Sequence, residues 1–443
     1  MDIVGIVGII LAIVALIFLM VKGFHVYAAS LVAVIILGLL GDVGGVTQGI
    51  TYWVSGIGNS LQTYWMLFIA GGITGYAMRI SGAAASIGKA LVKIMPRTLL
   101  PISVMFISTI MGYGGISVFT GFFIIIPIAT EVFKAADLPV RLMPAAIVAG
   151  GSLAEVIPGS IQVQNIVPYD LLRKAGYAVT PMYGGAIGWI SSLIGYLFIV
   201  FMFLVMINNA KKRGEGFSPI TRGPCVGLEI DTSGLPNPIV AAIPLVIALL
   251  LRNIQINGGP VFSQSYIPIF IGAALTLILQ WKRIDFKKFI TEDLGAAMTG
   301  SVSTLLTYVS VIAVASVVQK TAVFPSLIDA LMEINGPPLF SVFLIANITA
   351  GLTGSSMGAE GIVIPMLAEP YIGGLGVDPG AFGRVVAFSV EGLNTLPQNG
   401  GVLAILTACG ETHKSAYMPI FMLTVVGTTF MSFVSVVLYS IFL

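Results

Sequence analysis

Charge is what this sequence lacks most. Only 9% of its 443 residues are Asp, Glu, Lys or Arg, against about 25% in soluble domains. Histidine and cysteine are nearly absent, with His25, His413, Cys225 and Cys409 the complete set. One cysteine lies in a polar linker and the other in an apolar run, so no disulfide framework is expected. No H-E-x-x-H pattern occurs, and neither a metal site nor any other cofactor is expected. The net charge of +2 says little by itself, and no nucleic-acid partner is expected.

Apolar residues fill the space that charge leaves. They make up 57% of the chain, and the mean hydropathy is +1.02. Runs of about 20 such residues recur, which is the pattern of membrane-spanning helices. An outer-membrane barrel would show alternating segments of about 10 residues instead. The fold class expected is therefore an all-α polytopic membrane protein in the lipid bilayer. The run at 3–21 has no basic flank and no small-residue cleavage site, so it reads as the first membrane helix rather than a signal peptide.

The runs fall into two lists that match in order. The first half gives 3–21, 26–41, 61–80, 98–133, 141–167 and 182–207, and a polar linker covers 208–238. The second half gives 239–251, 264–281, 295–318, 337–375, 380–408 and 416–442. Each fourth run is too long for one crossing and carries a Gly-rich break, so each is expected to be a re-entrant hairpin. IIIP at 124–127 corresponds to IVIP at 362–365, and Pro158 in the fifth run stands opposite Pro397. A hairpin adds no net crossing, so each half crosses five times and the two repeats, 1–207 and 239–443, have inverted topology. Placing the linker in the cytoplasm and both termini outside leaves only Arg173, Lys174, Arg252, Lys320 and Arg384 of the 21 Lys and Arg on the outer side. That distribution agrees with the positive-inside rule.

Four polar breaks interrupt the apolar runs: GYGGIS at 112–117, PGSIQVQN at 158–165, GLTGSSMGAEG at 351–361 and TLPQNGG at 395–401. Broken backbone in a membrane is tolerated only against protein or a wet cavity. Half-helix ends and bare N–H groups there suit an anion. The residues expected to bind substrate are Gly114, Ser117, Ser160, Gln162, Gln164, Asn165, Ser355, Ser356, Asn394, Thr395, Gln398 and Asn399. This inventory suits a small hydroxylated carboxylate better than an apolar solute. Glu155, Glu360 and Glu391 lie beside the breaks. Desolvation favours the neutral form of a carboxyl, so these three are the candidates for proton coupling. The bland alternatives are tight packing at the glycines and structural glutamates paired with Arg141 or Arg384. His25 and His413 fall in short connections away from the breaks and are not expected to act. GSSMG at 354–358 fits the serine-hydrolase G-x-S-x-G, but no histidine base lies in a membrane span, so no enzyme is expected.

PGSIQVQNIVP, LNTLPQNGGVLAIL and ACGETHKSAY resemble the gluconate permease family of the ion transporter superfamily. Pro158, Gly159, Ser160, Gln164 and Asn165 match its first-half motif, and Asn394, Thr395, Leu396, Pro397, Asn399 and Gly400 its second. Ile161 stands where that family usually has proline, and Gln398 where it usually has histidine. The resemblance implies a proton-coupled importer of small hydroxy monocarboxylates such as gluconate, glycerate or 3-hydroxybutyrate, in a bacterial inner membrane. It also implies an elevator mechanism and a homodimer, with a scaffold from 3–80 and 239–318 and a mobile part from 98–207 and 337–442. Sodium as the coupling ion stays open. A cation/proton antiporter is the first alternative, and a membrane scaffold or receptor that binds without transport is the second.

Overall fold

The structure is a computed structural model that describes residues 3–22, 24–96, 99–113, 118–160, 162–179, 185–220, 234–253, 255–256, 259–262, 264, 266–332 and 336–443. The first half opens with α1 (Ile3–Val21), α2 (Val26–Leu40), the 35-residue α3 (Val46–Ile80) and the short α4 (Ala83–Ile94). Then α5 (Leu100–Tyr113) and α6 (Val118–Ala136) pack together, followed by α7 (Met143–Val156), α8 (Val163–Lys174) and α9 (Gly185–Lys212).

The second half repeats this order. It begins with α10 (Pro238–Asn253) and α11 (Tyr266–Leu279). Next, α12 (Phe286–Lys288) runs through a π-turn at Phe289–Asp293 into α13 (Leu294–Val318), and the short α14 (Val323–Met332) follows. The pair α15 (Pro338–Thr353) and α16 (Ser356–Ala368) matches α5 and α6. After α17 (Pro379–Ser389) and α18 (Gly400–Cys409), α19 (His413–Phe421) continues through a second π-turn into α20 (Gly427–Phe442). Among the described residues the only strands are Gln255–Ile256 and Gly259–Pro260, paired antiparallel.

Two boundaries differ from expectation. The third span starts at Val46 rather than at 61, because VTQGITYWVSGIGNS is helical despite its polar and glycine content. Packing decides there. A Cβ on Gly56 would lie 3.1 Å from the Ala313 Cβ, so α3 and α13 approach almost backbone to backbone. The short helices α4 and α14 were not expected at all.

The second hairpin turns at Gly354, whose φ of +59° is the left-handed conformation that glycine adopts freely. Its N–H bonds the Ala350 carbonyl at 2.8 Å and so closes α15. The tip of the first hairpin, with the predicted Gly114 and Ser117, lies outside the described residues. Both second arms carry an interior proline, Pro127 in α6 and Pro365 in α16.

Among the described residues, four helices are long and apolar enough to cross a bilayer by length and composition: 3–20, 185–212, 286–318 and 413–442. Along α1 the residues Ile3, Val7, Ile10, Val14 and Phe18 stay at least half exposed, as a lipid-facing row does. The protein is a multi-pass helical membrane protein.

Candidate functional site

Both broken segments are stitched to the hairpin of their own half by the same device. The Gln162 amide donates to the Gly112 carbonyl at the end of α5 (2.8 Å), and the Gln398 amide donates to the Gly351 carbonyl near the end of α15 (3.2 Å). Each bond satisfies a helix-terminal carbonyl that has no partner within its helix. Two residues predicted to read substrate therefore serve the fold.

Asn165 does the same. It is fully buried, its Nδ2 donates to the Ser160 carbonyl (2.7 Å), and its Oδ1 accepts from Arg384 Nη1 (2.7 Å). Arg384 itself is fully buried on α17, not at the outer surface, and also donates to the Val156 carbonyl at the end of α7. Ser160 Oγ accepts from the Gln162 N–H within the turn.

Seven of the remaining predicted residues converge on one cavity of about 80 Å³. Glu155 and Gln164 reach it from the first half, and Ser355, Ser356, Asn394, Thr395 and Asn399 from the second. On this measure a water needs about 10–15 Å³, so the cavity admits a molecule of a few heavy atoms. Ser355 caps α16 by accepting the Gly358 N–H (3.2 Å), and Asn399 caps α18 by accepting that of Val402 (3.0 Å). Two helix N-termini thus open on the cavity, and among the described residues no Lys, Arg or His lines it.

The second half-site is wired together. Asn399 donates to Asn394 Oδ1 (3.0 Å), Asn394 to Ser356 Oγ (2.7 Å), and Ser356 to Glu391 Oε1 (2.6 Å). Glu391 and Glu360 are fully buried behind the wall, and neither Glu360 oxygen has a hydrogen-bond partner. The ion pairs among the described residues are Arg141–Glu215, Arg213–Glu215 and Arg173–Asp170, so none of the three candidate glutamates is held by Arg141 or Arg384.

Three features escaped the sequence reading. Tyr64 of α3 and Tyr308 of α13 line the cavity, with ring centroids 5.0 Å apart at nearly a right angle. Phe122, Val148, Ile312, Met357 and Val402 give it an apolar flank. His413, placed away from the breaks by sequence, is buried and bonds the Pro397 carbonyl through Nε2 at 2.8 Å. A tyrosine in a membrane run reads as an interfacial anchor, so the pair left no signal.

No protein-family model matches the chain. It is 23% identical over 424 residues to the "uncharacterized transporter YxjC" of Bacillus subtilis, covering 86% of this chain and 87% of that protein. Among solved structures it is similar to the YdaH transporter of Alcanivorax borkumensis, with 15% identity, 98% of each chain covered and a TM-score of 0.45.

Proposed function

We propose that this protein is a secondary active transporter that carries a small hydroxy monocarboxylate together with a proton. The observation that carries the reading is the cavity between the two half-sites, lined by two capped helix N-termini from the second half and by the Glu155 carboxyl from the first. Partial positive charge at those helix ends favours an anion. The 23% likeness to a protein named as a transporter supports the general class, and the motif resemblance to gluconate permeases supports the substrate class.

Coupling follows from the same geometry. A carboxylate entering beside an ionised Glu155 would meet a repulsion of about 3 kcal/mol at roughly 5 Å and an effective dielectric constant of about 20. That is a factor of more than 100 in affinity. Protonating the wall removes the penalty, so anion and proton bind together and affinity rises as pH falls. Glu155 is the carboxyl on the cavity, with Glu391 and Glu360 behind it as further proton holders. The helices 3–80 and 239–318 form the scaffold, and the hairpins and broken helices form the part that moves, with the linker on the cytoplasmic side.

The test is a thermal-shift series on detergent-purified protein with gluconate, glycerate, lactate, 3-hydroxybutyrate, citrate and succinate. It is run at about pH 5.5 and about pH 7.5, with and without sodium, since a ligand of the native state raises its apparent stability. Stabilisation by a hydroxy monocarboxylate, stronger at the lower pH and indifferent to sodium, is expected. A response to sodium or pH alone would replace this reading with a cation/proton antiporter.

A further inference from the structure

Below the cavity, α3 keeps one face toward the groove between α6 and α13. Tyr64, Phe68, Gly72, Gly75 and Arg79 recur at steps of three and four residues, which stacks them in one row. The row is a close seam. A Cβ on Gly75 would lie 1.9 Å from the Phe123 carbonyl oxygen, and one on Gly72 would lie 1.6 Å from Ser301 Oγ. The upper part is plugged by aromatic rings, with Phe68 against Phe123 (6.0 Å) and against Tyr308 (5.7 Å).

Arg79 closes the lower end. It is only 8% exposed, yet its Nε and Nη1 have no hydrogen-bond partner among the described residues. Its guanidinium stacks on Tyr76 (4.7 Å) and also interacts with the Tyr76 hydroxyl, which donates to Asp293 Oδ1 (2.9 Å), so its one link to a carboxylate among the described residues is indirect and it has no ion pair there. A buried cation left in this state costs several kcal/mol unless something offsets it. The guanidinium borders a cavity of about 20 Å³, together with Gly72, Gly75, Tyr76, Phe123, Pro127 and Ala297. Pro127 has no N–H to give the Phe123 carbonyl four residues back. The small cavity therefore offers a fork of cationic donors and, from Phe123, a carbonyl.

We infer that Arg79 is a second anion site, the inner station of a route that runs from the central cavity along the α3–α6 seam. In the present state the cavity holds about one water-sized group; once the seam opens, the guanidinium takes the carboxylate in a two-pronged grip, and the Phe123 carbonyl, released from Gly75, accepts the hydroxyl of a hydroxy acid. In the present state the Phe68–Phe123 plug separates the two sites. Arg79 follows Tyr64 by 15 residues on one helix, about 22 Å at 1.5 Å per residue, so the two sites are occupied in turn rather than by one molecule. The Arg79 end is also the linker end, because Arg283 bonds both the Ser81 carbonyl beside it and Gly234 of the linker. This inference rests on the carboxylate-transporter reading and extends it to the release step.

The experiment compares wild type, Arg79→Gln and Arg79→Lys by thermal shift with the stabilising carboxylate and by uptake into proteoliposomes. Arg79→Gln is expected to keep the ligand-induced shift, because the central cavity is untouched, while uptake falls at least tenfold. Arg79→Lys, which keeps the charge and loses the fork, should fall between the two. Uptake by Arg79→Gln at the wild-type rate overturns the inference. If Arg79→Gln does not fold, Arg79→Lys decides: wild-type uptake by that variant also overturns it. A chloride-dependent stabilisation lost in both variants, with uptake unchanged, assigns the site to a resident halide and likewise overturns the route. Should no carboxylate stabilise wild type, it is the transporter reading that fails, and the two failures stay distinct.

Discussion

Ser356 is the joint of the second half-site, and removing its hydroxyl tests the site's construction directly. It donates to Glu391 Oε1 at 2.6 Å and accepts from Asn394 Nδ2 at 2.7 Å, while being only 5% exposed. Alanine breaks both bonds at once. Glu391 is fully buried and its Oε2 already lacks a partner, so the carboxyl would lose its Ser356 hydroxyl donor. A bond to a charged group contributes about 1.5–3 kcal/mol and a neutral one about 0.5–1.5 kcal/mol. The sum is about 2–4 kcal/mol, divided between folding and ligand binding.

The binding share comes through Asn394. Once released from Ser356, it no longer presents a fixed Oδ1 to Asn399, and both side chains line the cavity. If about half of the total appears in binding, the dissociation constant rises by roughly 5- to 30-fold. The assay is ligand titration of Ser356→Ala by calorimetry, paired with its unliganded unfolding midpoint. Ser356→Thr keeps the hydroxyl and serves as the control that should restore most of both losses. A Ser356→Ala protein with wild-type affinity and an unchanged midpoint would refute the claim that this network shapes the site.

Asn165→Ala should lower the unfolding midpoint and leave substrate affinity unchanged, since Asn165 faces Arg384 rather than the cavity; a selective loss of affinity on titration would return it to the site. Leaving that buried guanidinium short of one acceptor is expected to cost about 1–3 kcal/mol. Glu360→Gln should flatten the pH dependence of uptake in proteoliposomes, because a buried carboxyl with neither oxygen bonded is replaced by a group that cannot hold an exchangeable proton in its place. An unaltered pH profile removes Glu360 from coupling. Gly75→Ala forces α3 and α6 apart, as its Cβ would sit 1.9 Å from the Phe123 oxygen; thermal unfolding should show a loss of about 1–3 kcal/mol.

The repeat was legible because proline, glycine and amide side chains inside an apolar run conflict with the membrane, and a conflict repeated in order is informative. For that reason the breaks could be placed to within a few residues: α7 ends at Val156 and α8 starts at Val163 against the expected 158–165, and α17 ends at Ser389 and α18 starts at Gly400 against 395–401. What sequence does not encode is which way each polar side chain turns at a break. Gln398 and Asn399 are neighbours, yet one bonds backward to the Gly351 carbonyl while the other caps α18 and faces the cavity. A half-turn at the start of a helix decides the matter. Partners from distant helices were equally invisible. Tyr64 and Tyr308 meet only because α3 and α13 pack at the glycines, and His413 reaches Pro397 only because α18 is short enough to bring α19 back beside the break.

The departures from symmetry explain how a twofold architecture can bind an asymmetric solute. Glu155 precedes Gln162 by seven residues, and Glu391 precedes Gln398 by the same seven, so the clasp and its carboxyl are repeated. The hairpins are not. Five residues before the interior proline, α6 carries Phe122 and α16 carries Glu360. Apolar lining comes from both halves, Phe122 and Val148 from the first and Ile312, Met357 and Val402 from the second, whereas both capped helix N-termini belong to the second half. A symmetric cavity would offer either end of a solute the same reception. On the reading proposed above, a carboxylate would be drawn to the helix N-termini at Ser355 and Asn399, and Phe122 and Val148 would favour an apolar part of the solute. On that reading a dicarboxylate would have to bury its second charge beside the apolar lining, so citrate and succinate are expected to stabilise the protein less than a hydroxy monocarboxylate does.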